Sequence, residues 1–162
     1  MSRFLLDSNV CIACLRRKPW ALKVLGSVPL ASVAVSSLTV GELVLGAHLS
    51  EDQARELAKV EAFLRPIQIL PFGRDEAFQW ASLDAQLRKQ GNRIEAEDAM
   101  IAATAMALGM TLVSGNTKHF ERVKGLSPEQ ERRATLPQAK PIGRGPWMGL
   151  VKVVDWEHRP PV

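Results

Sequence analysis

A chain of 162 residues, 46% hydrophobic and 23% charged, has the composition of an ordinary globular domain long enough to bury a core. It contains no run of 18 apolar residues, so no membrane-spanning helix is indicated, and its early charge does not fit a secretory leader, so a cytoplasmic setting is expected. The 21 basic and 17 acidic residues give a net charge of +4 and a pI near 9.4, a weak bias toward an anionic partner such as nucleic acid.

The stretch from Arg3 to Val10 opens with Phe4-Leu5-Leu6 and then presents Asp7. A short apolar run bounded by polar residues reads as a buried strand, here the first of an α/β sheet. Asp7 then stands at its carboxyl end, where open α/β sheets place their ligand crevice. The alternative is that Asp7 and Ser8 only cap the next helix. That helix is predicted over Val10–Arg17, closed by Arg16-Arg17-Lys18 and Pro19. Its Cys11 and Cys14 form a lone C-x-x-C. No His/Cys cluster completes a zinc site, and the spacing suits two inward-facing small hydrophobes better than a redox pair.

Pro19 to Gly26 reads as a short helix with proline in its first turn. Ala31–Ser36 alternates and is rich in small and β-branched residues, the pattern of a second strand. Ser37–Leu49 is a helix apolar almost all round. Ser50-Glu51-Asp52-Gln53 matches a capping box that would start a helix running to Arg65 and stopping at Pro66. Ile67–Leu70 is a third strand. Arg74–Gln90 is amphipathic, with Ala77, Trp80, Ala81, Leu83 and Leu87 as apolar positions and Gly91 as terminator. Glu95–Leu108 is a further helix closed by Gly109, and Met110–Ser114 a fourth strand. Alternating strands and helices imply a mostly parallel sheet covered on both faces.

From Ser127 to Gly149 the pattern breaks down into Pro128, Pro137, Pro141 and Pro146 among Arg132, Arg133, Lys140 and Arg144. This reads as an irregular basic loop. Leu150–Trp156 resumes a strand pattern, so a single domain is expected over residues 1–156, with a tail at 157–162.

Most acids lie on polar faces, among them Glu51, Asp52, Glu56, Asp75, Glu76 and Asp84. Three do not. Asp7 ends an apolar strand, Glu42 sits in a helix with no wide polar face, and Asp98 opens a helix whose inward stripe is Ile101, Ala102 and Ala105. Buried carboxylates need a partner, and clustered ones raise each other's pKa unless a cation neutralises them. A hard divalent ion with oxygen ligands does so. Each acid also has a structural reading. Thr39-Val40-Gly41-Glu42 matches a capping box, and Asp98 suits the positive end of a helix dipole. Asn116, after the fourth strand, could orient water or substrate, or simply occupy a turn.

In this order, Phe4-Leu-Leu-Asp7-Ser8-Asn9, Ser36-Ser37-Leu38-Thr39-Val40-Gly41-Glu42-Leu43, Asp98-Ala-Met-Ile101-Ala-Ala-Thr104 and Thr111-Leu-Val113 with Asn116-Thr117-Lys118-His119-Phe120 resemble the PIN-domain family. The closest resemblance is to the VapC-type toxin ribonucleases of bacterial toxin–antitoxin pairs. The resemblance covers residues 3–126 and extends to Lys152–Trp156. It implies a three-layer α/β/α sandwich around a mostly parallel central sheet. It implies an endoribonuclease dependent on Mg2+ or Mn2+, with Asp7, Glu42, Asp98 and Asn116 as catalytic positions and Asp7 and Asp98 as direct ligands. Asn9 and Thr39 fall at supporting polar positions. The family often carries an acid where this chain has Asn116, which bears on the number of ions. The implied partners are RNA, a cognate antitoxin and a second copy of the toxin, with no membrane.

The resemblance also implies that Gly125-Leu126 should lead almost directly into the last strand, yet a second pair, Gly149-Leu150, precedes it. Residues 127–149 are therefore read as an insertion, either a basic loop that contacts RNA or antitoxin or a solvated loop with no function of its own. His48 and His119 have no carboxylate or nucleophile partner visible in sequence. Two other functions compete: a metal-free basic nucleic-acid-binding module, and a metal nuclease directed at DNA. An aspartyl-nucleophile phosphatase is disfavoured because it wants a second Asp where Asn9 stands.

Overall fold

The computed structural model describes residues 4–115 and 152–154. Asn116, His119, the expected insertion at 127–149 and the tail at 157–162 lie outside the described residues.

The strands are β1 (Phe4–Leu6), β2 (Val33–Ser36), β3 (Gln68–Leu70), β4 (Thr111–Val113) and β5 (Lys152–Val154). They form one sheet in the order β3-β2-β1-β4-β5, and every pairing is parallel. The central position of β1 explains its sequence. Neighbouring side chains of a strand point to opposite faces, and a parallel sheet covered on both sides needs both faces apolar. Leu5 and Leu6 are accordingly both fully buried. Register sets Leu5 beside Ala34 and Leu112, and Leu6 beside Val35 and Val113.

Among the described residues, six helices flank the sheet: α1 (Ser8–Leu15), α2 (Pro19–Gly26), α3 (Ser37–His48), α4 (Gln53–Leu64), α5 (Arg74–Lys89) and α6 (Ala96–Leu108). On one face Leu6, Val33, Val35 and Val113 pack with Val10 and Cys11 of α1, Leu43 and Ala47 of α3, and Val60 and Leu64 of α4. On the other, Leu5, Ala34 and Leu112 pack with Leu83 and Leu87 of α5 and Ile101, Ala102 and Ala105 of α6. The expected three-layer arrangement is thus present, with two separate cores divided by the sheet. No described helix is long and apolar enough to cross a membrane.

Local details depart from expectation where capping chemistry decides. The first helix begins at Ser8 rather than Val10, because the Asp7 side chain accepts from the Ser8 backbone N–H. Ser50 does not cap α4. Its own N–H closes the turn after α3 onto Ala47, and Asp52 caps instead by accepting from Arg55. Ala31 and Ser32 fall in a 3-10 turn, so β2 is shorter than expected, and all four of its residues are buried instead of alternating. On α5, Ala81 is exposed. Glu76, assigned above to a polar face, is buried because its Oε2 accepts from Gly73 N–H at the helix start. Gly109 closes α6 in the left-handed region, at φ 62, as its position suggested.

The two-core division makes a sharp prediction. Leu5→Ala empties space on the α5–α6 side only and should lower the unfolding free energy by about 2–5 kcal/mol. Denaturant titration should show a reduced midpoint with an unchanged slope.

Candidate metal centre

The carboxyl edge of the sheet gathers the unusual acids. Asp7 follows β1 and is only 2% exposed. Its N–H donates to Val113 O at 2.9 Å, continuing the β1–β4 ladder one residue past the strand. One side-chain oxygen, Oδ1, accepts from Ser8 N at 2.7 Å, and the other, Oδ2, accepts from Ser114 Oγ at 2.7 Å. Asp7 therefore caps α1 while standing at the carboxyl end of β1.

Glu42 reaches the same place from α3. The N-cap of α3 is Ser36, whose Oγ accepts from Leu38 N at 3.0 Å. Glu42 thus lies well inside the helix and is too far along to close the Thr39–Glu42 capping box. The helix is also less enclosed than its sequence suggested, since Leu45 is 58% and Leu49 79% exposed. Glu42 is half-buried, yet its Oε2 is buried without a hydrogen-bond partner. Thr39, three residues earlier on the same helical face, is fully buried, and its Oγ1 is likewise unpartnered. Asp98 arrives in the first turn of α6, and its inward stripe Ile101, Ala102 and Ala105 is buried as expected.

Electrostatics tie the three acids together. Burial pushes the Asp7 carboxyl above the usual range. The Ser114 hydroxyl and the Ser8 N–H pull it back, while the charge of Asp98 adds to the rise. Burial also raises Glu42; a bond from the Ser8 side chain opposes this, and the charges of Asp7, Asp98 and Glu97 reinforce it. The sequence reading missed Glu97 and Ser114. Ser114 carried the same signal as Asp7, a polar residue at the carboxyl end of an apolar strand. Asn9 bridges elements, its Nδ2 donating to Ser114 Oγ at 3.2 Å and its Oδ1 accepting from Gly115 N at 3.0 Å.

This donor set fits a hard divalent cation. It offers carboxylate oxygens that repel one another, an orphaned Glu42 Oε2 and an orphaned Thr39 Oγ1. Among the described residues no three acidic, His or Cys side chains already converge at liganding distance. The N-termini of α1, α3 and α6 all begin at this edge, and their dipoles partly offset the negative charge. Burial disfavours the thiolate form of both Cys11 and Cys14. Both are free and buried, burial holds the Cys11 thiol well above its ordinary value, and it pushes Cys14 up to about 11. His48 is exposed at the far end of α3.

Comparison with known proteins points the same way. Residues 4–126 match the PIN domain. The chain is 35% identical over 129 residues to the tRNA(fMet)-specific endonuclease VapC of Shigella flexneri, covering 80% of this chain and 98% of that one. It is 37% identical over 129 residues to ribonuclease VapC2 of Haemophilus influenzae, again covering 80% and 98%. Among solved structures it resembles DNA-bound VapBC from Salmonella typhimurium at a TM-score of 0.77 and 26% identity, covering 96% of this chain and 99% of that chain.

Glu42 holds its proton more tightly in the fold than in the unfolded chain. It therefore favours folding below the ordinary carboxylate range, and that contribution is lost as pH rises through its elevated pKa. Without divalent ions, Glu42→Gln should melt above wild type at neutral pH, with the difference closing as pH falls to about 4. Thermal denaturation in chelator across that range checks it.

Proposed function

The chain belongs to the PIN-domain family, among its VapC-type ribonucleases, and we propose that it is the toxin of a toxin–antitoxin pair, an endoribonuclease dependent on Mg2+ or Mn2+. The observation that carries this reading is that Asp7, Glu42 and Asp98 stand at one sheet edge, near enough for the charge of Asp98 to bear on the other two, with Glu42 Oε2 left unpartnered.

When bound, the divalent ion supplies an activated water and offsets charge on the scissile phosphate. Asp7 and Asp98 would hold the ion. Asp7 is already fixed by Ser8 and Ser114, so little reorganisation accompanies binding. Glu42, whose Oε2 is buried without a partner, would orient water or complete the shell of groups around the ion. Thr39 and Asn9 support the helices that carry these acids. The helix N-termini at this edge favour the phosphate backbone, and the basic excess of the chain adds long-range attraction. Asn116 is kept as a further catalytic position from the family resemblance alone.

The substrate is RNA, and transfer RNA is the first to test, because the similar Shigella flexneri protein is named for cleaving one. The partners are a cognate antitoxin and a second copy of this chain, in the cytoplasm. Residues 1–156 are treated as one domain.

Purified protein should cleave RNA with Mg2+ or Mn2+ and lose this activity in chelator. Asp7→Asn and Asp98→Asn should each reduce the rate by at least about 100-fold with folding retained, the order of loss seen when one transition-state contact is removed. Cleavage of DNA in preference to RNA in a parallel assay would replace this reading with the DNA-directed nuclease. Binding of nucleic acid without cleavage under any divalent ion would replace it with the binding module.

A further inference from the structure

Ser114 and Asn9 form a hydrogen-bond relay whose direction the structure fixes. Gly115 N–H donates to Asn9 Oδ1 at 3.0 Å, which assigns the amide oxygen to that side and turns Nδ2 toward Ser114. Asn9 Nδ2 then donates to Ser114 Oγ at 3.2 Å. A serine hydroxyl has one proton. With Asn9 occupying an acceptor site, that proton is directed along the 2.7 Å bond to Asp7 Oδ2. Ser114 is fully buried, so no solvent competes for the bond.

The far side of Asp7 is also held, since Oδ1 accepts from Ser8 N at 2.7 Å. One carboxylate thus receives donors from two segments, 7–9 and 114–115, that are remote in sequence. An ionised carboxylate offers about four acceptor sites. Ser8 N and Ser114 Oγ take one site on each oxygen, so both oxygens are held while further lone pairs remain for an ion.

We propose that Ser114 is a positioning residue for the ion-binding carboxylate, with Gly115 and Asn9 locking its hydroxyl onto Asp7. The inference rests on the reading of Asp7 as a metal ligand. It differs from a purely structural hydrogen bond in one measurable respect: it makes divalent-ion affinity, in the absence of any substrate, depend on the Ser114 hydroxyl.

The test is Mn2+ binding to the full-length chain without RNA, followed by the electron paramagnetic resonance signal of free Mn2+. Ser114→Ala should weaken binding about tenfold or more, the usual consequence of removing a group that orients a metal ligand. Ser114→Thr, which keeps the hydroxyl, should restore most of it. Asn9→Ala should weaken binding by a smaller factor, because the hydroxyl stays but turns freely. Asn9→Ala also decides the matter should Ser114→Ala fail to fold, as unchanged affinity in that variant overturns the proposal. So does wild-type affinity in a folded Ser114→Ala, or equal weakening in the Ala and Thr variants, since the loss would then follow packing rather than the hydroxyl. If wild type itself binds no Mn2+, the metal-site reading falls and the relay falls with it; if wild type binds and Ser114→Ala matches it, the relay alone falls.

Discussion

The Asp7 carboxylate is the point on which the molecule turns. It ends the central strand, starts the first helix and takes a hydrogen bond from the residue that leaves the neighbouring strand. Burying a carboxylate is costly unless hydrogen bonds satisfy it. Here two bonds of 2.7 Å, from Ser8 N and Ser114 Oγ, satisfy it only in part, because its pKa still lies above the usual range. The site is therefore held in a tense state by the fold around it. The two cores on either side of the sheet supply the stability that permits this.

The same architecture explains why acids from distant parts of the chain meet. A parallel sheet puts the carboxyl end of every strand at one edge, and the helices that follow β1 and β2 start there. Asp7 and Glu42 are carried to that edge by these strand-to-helix turns. Asp98 comes differently, in the first turn of α6, which packs against α5 on the opposite face from α1 and α3. The acids thus approach from both layers of helices. Their repulsion is moderated by helix dipoles, and a divalent ion held between them would remove it.

Capping chemistry accounts for most local surprises. Asp52 rather than Ser50 starts α4, and Glu76 is buried in order to close the start of α5. In both places several residues of suitable type lie within a few positions, and the backbone geometry of the preceding turn selects among them. The exposed Leu45 and Leu49 show the complementary limit. An apolar composition on α3 suggested burial all round, but a helix lying on a sheet buries only the side that faces it. Ser114 was overlooked because a lone serine after a strand has many ordinary roles. Its importance appears only when β4 is seen beside β1.

The sequence by itself determined the order of strands and helices, the buried character of β1, and the three acids that have no ordinary surface role. These follow from local periodicity and from the cost of placing charge among apolar residues, both of which are written in neighbouring positions. The tertiary structure decided which acids meet, that Asp7 caps α1 while standing at the carboxyl end of β1, and that Glu42 is no cap. It also decided that Asn9 and Ser114, 105 residues apart, form one hydrogen-bonded unit on Asp7. A hydrogen bond between remote residues depends on strand register and side-chain direction. Those are settled when the sheet assembles, and no local pattern records them.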